Sequence, residues 1–300
     1  MDILVCPVSR WPDPGELINV DDIVYYPGGT ALNTAVTIKE LGVKDICLSG
    51  FVGEDQAGKD ILDYLQKIGV NYSGILQESQ QKTGTCSVNV HPDGERSFFY
   101  SPGANNLILD TETLIDQIQE GSIVHFGGIL DMPLLSGGNL LDLARSLKKK
   151  DCFISGDIAW DWRSDGWSAI KDCLPFMDML MMNQQEAEIL FNSTTLQQIS
   201  QKIRLNGCNT VIVKLGKGGA YIRTEKIEKV VPGFTVPVLD TTGAGDAFAG
   251  GLLVAYSKGY SPEKMVRFAN AVGACCVQSL GATTGIRSFE ETIQFMQDHI

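Results

Sequence analysis

Asp240-Thr241-Thr242-Gly243-Ala244-Gly245-Asp246-Ala247-Phe248-Ala249-Gly250-Gly251 is the stretch from which the rest of the chain can be read. An apolar, β-rich run at 234–239 leads into it, and a helix-forming run at 247–257 leads out. A glycine-rich turn at a helix start leaves backbone N–H groups unpaired. The positive end of the helix dipole adds to them, so such a turn attracts anions. Two carboxylates frame this one, Asp240 before the turn and Asp246 at the helix entrance. A phosphate site has use for a neighbouring carboxylate only where that group takes a proton or holds a cation. Read locally, the same residues serve as an N-cap aspartate with glycines for a tight turn. Two other phosphate loops are excluded. No G-x-x-x-x-G-K-[ST] occurs, and Gly243-x-Gly245 meets Phe248 where a dinucleotide fingerprint requires Gly or Ala.

The chain has 300 residues, enough for one large α/β domain with an accessory piece. A hydrophobic content of 44% and a charged content of 20% are those of a globular protein. A net charge of −12 argues against a general nucleic-acid binder, which needs clustered Lys and Arg. It does not exclude a nucleotide, whose phosphates are met by local N–H groups and Mg²⁺. The eight cysteines include no C-x-x-C pair, and Cys275-Cys276 are adjacent in an apolar helical run, so free buried thiols are expected. No apolar run approaches membrane-span length and no signal peptide is recognised, so no membrane association and a cytoplasmic location are expected.

Along the chain, strand patterns at 2–6 and 18–26 precede a helix at 31–41, a strand at 46–52 and an amphipathic helix at 56–68. Runs at 83–90 and 95–100, joined by His91-Pro92-Asp93-Gly94, interrupt this as a hairpin. Strand–helix alternation then resumes to the C-terminus, which predicts a mostly parallel sheet covered by helices. The expected division is an α/β domain at 28–82 and 106–300, with a small β-sheet lid made of 2–27 and 83–105 inserted into it.

The central stretch resembles the C-terminal signature of the ribokinase-like (PfkB) family of carbohydrate kinases. Gly28-Gly29-Thr30-Ala31-Leu32-Asn33-Thr34-Ala35, followed by Leu41-Gly42, is similar to the family's N-terminal signature, and Asn183-Gln184-Gln185-Glu186 to its N-x-x-E. The three fall in the family's order and spacing over nearly the whole chain. The resemblance implies a three-layer Rossmann-like α/β fold with a β lid, and ATP-dependent phosphorylation of a hydroxyl of a small sugar. It implies Asp246 as the general base and the N–H groups of Gly243, Ala244 and Gly245 as the anion hole. On the sugar side it implies Asp2, Gly29 and Asn33; on the nucleotide side Asn183, Lys214, Gly216, Gly219 and, near the adenine, Asn270. Glu186 would orient water on Mg²⁺, and Asp240 and Thr242 would help hold a potassium ion with the loop 276–285. A homodimer through the lid is also implied.

For several of these residues a purely structural reading stands alongside. Asn183 and Glu186 fit a helix capping box, and Asn270 a core helix residue; Arg96 in the hairpin would meet an acidic or phosphorylated sugar or, as the simpler reading, stand as a solvated surface arginine. Asp157 to Arg163, with Trp160 and Trp162, would serve as a sugar-facing wall or as core. Two features depart from the family. In relatives a strand precedes the aspartate matched by Asp2, which implies that the natural protein begins upstream of Met1 or that another segment fills the place. Thr30 stands where ribose-specific relatives resemble one another in carrying Lys. A nucleoside kinase of the same family and a non-catalytic assembly subunit are the rival readings.

Overall fold

The computed structural model describes residues 1–107, 111–131, 138–159, 166–192 and 195–299. Ten α-helices and twelve strands are defined among them, in two compact units.

The first unit comprises Met1–Asn105, Val236–Ala247 and Val272–Thr292. Strands β1 (Asp2–Cys6), β2 (Asp22–Tyr26), β5 (Thr85–Val90) and β6 (Arg96–Ser101) form one sheet in the order β2-β1-β5-β6. Only the β1–β5 pairing is parallel. Leu4, Val88 and Val90 point to one face of this sheet and are buried there. Helix α1 (Thr30–Glu40), strand β3 (Cys47–Gly53), helix α2 (Gln56–Ile68) and strand β4 (Asn71–Glu78) follow the first hairpin, and β3 and β4 pair in parallel. Met1, Leu32, Val36, Leu48, Val52, Ile61 and Leu65 share a core with them. Residues 28–82, which the sequence places with 106–300, lie in the same compact unit as 2–27 and 83–105, and Met1 packs with α1, β3 and α2.

The second unit comprises Asn106–Thr235, Phe248–Ala271 and Ile293–Ile300. Its six-stranded sheet has the order β12-β11-β10-β9-β8-β7. Strands β7 (Ile123–Gly127), β8 (Phe153–Asp157), β9 (Met179–Asn183) and β10 (Thr210–Lys214) run parallel, and β11 (Ala220–Arg223) and β12 (Glu228–Val231) are antiparallel. Met179 to Met182 and Val211 to Val213 are fully buried, as near-continuous apolar strands covered on both faces must be. Helices α3 (Thr111–Gln117), α4 (Gly138–Lys149), α5 (Gly166–Ile170), α6 (Gln184–Phe191) and α7 (Leu196–Leu205) supply the connections. Helices α8 (Ala244–Ser257), α9 (Pro262–Cys276) and α10 (Phe289–Asp298) close the chain. The fold is α/β with a mostly parallel sheet and a smaller sheet, as the sequence predicts. Among the described residues no helix is long and apolar enough to cross a membrane.

Two elements differ from the sequence reading. The run at 234–239 is not a strand. Pro232 and Pro237 remove donors from any ladder, and Leu239 N–H donates instead to Val277 O at 2.8 Å in a loop contact. Strand β4 had no sequence signal, because Asn71-Tyr72-Ser73-Gly74 and Gln77-Glu78 surround Ile75 and Leu76 with polar residues. All eight cysteines are free, five of them buried, although Cys47 is exposed.

Asp55 joins two parts of the first unit. It caps α2 by accepting from Gly58 N–H at 2.9 Å, and it accepts from Thr83 through its N–H at 2.9 Å and its hydroxyl at 2.6 Å. Burial alone pushes its carboxyl up, but the Thr83 and Gly58 bonds outweigh that and hold it below the ordinary carboxylate range. Its folded pKa therefore lies below its unfolded one, so its contribution is full above the unfolded pKa and is lost as pH falls through the folded one. Asp55→Ala is expected to cost about 1–2 kcal/mol at neutral pH in urea unfolding. The gap to wild type should close in acid, and a gap independent of pH would contradict this role.

Candidate active site

In the first unit, the turn before α8 is set by a buried carboxylate. Asp240 Oδ1 accepts from the Thr242 N–H at 2.8 Å and from the Thr242 hydroxyl at 2.6 Å, while Oδ2 accepts from Gly281 N–H at 2.8 Å. Asp240 is fully buried, so each bond replaces one lost to water. The Cys276 thiol donates toward Thr242 O at 3.6 Å and Ala282 O at 3.3 Å, and burial pushes its pKa up to about 12. The turn and the loop 276–285 are thereby held together.

Gly243 has φ 73°, and a Cβ there would lie 2.4 Å from Ala282 O, so neither conformation nor space admits a side chain. Helix α8 starts at Ala244, and its first intrahelical bond runs from Ala247 N–H to Gly243 O at 2.8 Å. The N–H groups of Ala244, Gly245 and Asp246 precede that bond and point out of the helix start; Ala244 N–H also makes a long 3.3 Å contact with Thr241 O.

Asp246 stands in the first turn of α8, and its Oδ2 accepts from Asn33 Nδ2 at 2.8 Å. Carboxylate oxygens only accept, so the amide must turn its NH₂ toward Asp246 and its oxygen away. That oxygen, Asn33 Oδ1, is buried without a hydrogen-bond partner. Asn33 lies in the first turns of α1, and Gly29 is the residue that caps this helix. Asp2 opens β1, and its carboxylate lies against Gly28, where a Cβ would come within 2.0 Å of Oδ2. Burial pushes the Asp2 carboxyl above its ordinary pKa, and the Asp240 charge adds to the effect. The first unit therefore gathers Asp2, Asn33, Asp240, Thr242, Gly243 and Asp246, residues 213 positions apart in the case of Asn33 and Asp246.

In the second unit the residues expected on the nucleotide side sit at the C-terminal edge of the parallel strands, where α/β sheets take ligands. Asn183 ends β9 and pairs in register with Lys214, which ends β10. Asn183 caps α6: its Oδ1 accepts from Glu186 N–H, and Glu186 Oε2 accepts from Asn183 N–H, both at 2.8 Å. The capping box anticipated as the structural reading is thus present. Lys214, expected at phosphate, instead donates from Nζ to Asp157 Oδ2 at 2.6 Å, with both side chains nearly buried. The Gly216 turn is closed by its own bonds, Gly218 N–H to Leu215 O and Gly219 N–H to Gly216 O. Gly219 also lies against β12. Asn270 Nδ2 donates to Val231 O and Pro232 O at 3.1 and 3.0 Å, its anticipated core role.

Sequence reasoning missed the polar line on one face of this sheet. His125 on β7 bonds through Nδ1 to Ser155 Oγ on β8 at 2.7 Å, and Asp157 lies two residues further along β8. Burial, with Lys214 adding, pushes the His125 pKa down to about 3, so the ring is neutral. Burial pushes the Asp157 carboxyl up, against the pull of Lys214. The alternation Phe153-Ile154-Ser155-Gly156-Asp157 was the available signal: two polar side chains at a period of two in an otherwise buried strand. Trp160 to Arg163 of the expected aromatic wall lie outside the described residues. Among the described residues no group of three or more His, Cys, Asp or Glu side chains could hold a metal.

Residues 2–288 match the pfkB family of carbohydrate kinases. The chain is 30% identical over 271 residues to a fructokinase-2 of Oryza sativa, covering 85% of this chain and 80% of that protein. It is 27% identical over 300 residues to a ribokinase of Haemophilus influenzae, covering 98% and 94%. A solved Arabidopsis thaliana ribokinase, complexed with ribose and ATP, superposes with a TM-score of 0.79 at 26% identity, covering 99% of this chain and 95% of that one.

Lys214→Met leaves the Asp157 charge buried without its partner. The variant is expected to lose about 3–5 kcal/mol in urea unfolding, as broken buried pairs do. A loss below about 1 kcal/mol would mean that the pair is not formed in solution.

Proposed function

Since this chain belongs to the pfkB family of carbohydrate kinases, phosphotransferases that act on an alcohol group, we propose that it transfers the γ-phosphoryl group of ATP to a hydroxyl of a small sugar, with Asp246 as general base. The observation that carries this reading is the Asn33–Asp246 hydrogen bond beside the glycine turn. It holds a carboxylate in a fixed direction at a helix start whose N–H groups attract phosphate.

A sugar hydroxyl is a weak nucleophile, and Asp246 takes its proton as the new P–O bond forms. Asn33 orients Asp246 through Nδ2, and its buried, partnerless Oδ1 accepts a hydrogen bond from a second hydroxyl. Asp2 accepts from further hydroxyls, and the backbone at Gly29 bounds the site. The N–H groups of Gly243, Ala244 and Gly245 stabilise charge on the transferring group. ATP is supported by the complex in which the Arabidopsis relative was solved.

Asn183 and the Gly216 to Gly219 turn receive the nucleotide phosphates, and the backbone near Asn270 borders the base. Lys214 contributes through its pair with Asp157, which fixes the end of β10 beside that turn. The described residues offer no all-protein metal cage. Mg²⁺ would be held mostly by phosphate and water and would neutralise phosphate charge, with Glu186 contacting a bound water. Asp240 and Thr242, with carbonyls of 276–285, are the donors for a potassium ion; the Thr242 and Ala282 carbonyls already converge on one thiol. A homodimer through the small sheet is supported by Ile23, Tyr25 and Phe99, exposed together on the face opposite Leu4 and Val88.

Asp246→Asn keeps the shape and removes the base. We expect kcat to fall by about 10²–10⁴-fold, with the KM for ATP changed only a few-fold. A variant retaining more than about a tenth of wild-type kcat would place the base elsewhere.

A further inference from the structure

Arg96 opens β6 opposite Val90, on the face of the small sheet that also carries Asp2, Leu4, Val88 and Phe98. The sequence leaves two readings for it, a contact for an acidic or phosphorylated sugar and a solvated surface arginine. In the structure its Nε is buried without a hydrogen-bond partner. Among the described residues its guanidinium makes no ion pair, and it lies over the Phe98 ring, 5.5 Å from the centroid. The hairpin that presents it is fastened on both sides. Thr241 Oγ1 donates to Gly94 O at 3.2 Å, and the His91 ring bridges Val8 O at 3.1 Å and Ser97 Oγ at 2.7 Å.

Burial lowers the Arg96 pKa, against the pull of Asp240, Glu95 and Asp246, and the Thr241–Gly94 bond lays its hairpin on the Asp240–Asp246 turn within the first unit. None of the three is its ion-pair partner. Asp240 is occupied by Thr242 and Gly281, and Asp246 is held by Asn33. A partly buried cation without a bonded anion is costly, and a five-donor fork suited to a carboxylate or phosphate is left without one.

We propose that Arg96 receives an anionic group on the acceptor, a carboxylate or a phosphate ester remote from the hydroxyl that is phosphorylated. The substrate is then an acidic or already phosphorylated sugar. The inference rests on the sugar-kinase reading and narrows it. Asp2 and Arg96 lie four residues apart along the strands and two strands apart across them. At about 3.3 Å per residue and about 4.8 Å per strand, that is a span of roughly 16 Å, which the two side chains and a short sugar chain bridge.

The test measures phosphate transfer from MgATP by the full chain to neutral pentoses and hexoses, to aldonic and 2-keto aldonic acids, and to hexose monophosphates. Wild type, Arg96→Gln and Arg96→Lys are compared. The acid or ester arm should exceed the neutral arm, and whichever arm wins identifies the anion. Arg96→Gln should raise the KM for that acceptor about tenfold or more, the worth of a charge-assisted bond. Arg96→Lys should recover part of it, and the KM for ATP and the melting temperature should not move. Preference for neutral sugars would overturn the proposal, as would an Arg96→Gln loss in kcat shared equally by every acceptor. If no acceptor is phosphorylated, the kinase reading fails separately. Calorimetry with the same acids and esters then decides: binding lost in Arg96→Gln supports the anion site, and absence of binding to any of them overturns it.

Discussion

The buried carboxylate of Asp240 is the constraint on which the candidate site depends. Its two oxygens accept three bonds from groups on two separate segments, Thr242 and Gly281. Such a group cannot be left half satisfied in a dry interior, so the turn and the 276–285 loop are fixed relative to each other. That arrangement puts Gly243 against Ala282, where only glycine fits, and it starts α8 one residue later. The direction of Asp246 and the exposure of the first N–H groups of α8 follow from where that helix begins. A chemical site thus grows out of one satisfied polar group.

The same logic governs the second unit with a different outcome. Lys214 and Asp157 pair from the ends of β10 and β8, across the buried strand β9 that lies between them and beside the Gly216 turn. A pair of this kind contributes little net stability over an apolar one, but it penalises any arrangement that separates its members. The capping box at Asn183 and Glu186 likewise uses polar atoms to fix a strand end and a helix start. Structural and chemical readings of these residues are compatible: a residue that fixes its own backbone also fixes the N–H groups beside it.

How much of this was legible in the sequence depended on whether a feature is local. The glycine turn, the Gly28 to Ala35 helix start and the capping box at Asn183 and Glu186 are local patterns, and the structure has each of them. Strand β4 was missed because its pairing with β3 overrides a polar composition. The run at 234–239 was misread because hydrophobicity was weighed above its prolines. The Lys214–Asp157 pair was not legible, because the partners are 57 residues apart and no spacing links them. The sequence could not decide between a solvated and a ligand-facing Arg96, because the burial of its Nε comes with the way the hairpin lies on the Asp240 turn, a tertiary fact.

The central claim is that Asp246 takes a proton and is never itself phosphorylated. A carboxylate beside an anion-binding turn has the geometry for either role, and the two differ in the number of displacements at phosphorus. The most direct measurement is the stereochemical course of transfer from ATP made chiral at its γ-phosphorus to the sugar that the protein phosphorylates. A single displacement with Asp246 as base predicts inversion of configuration in the product. Net retention would require a phosphorylated enzyme intermediate and would contradict this account of the site.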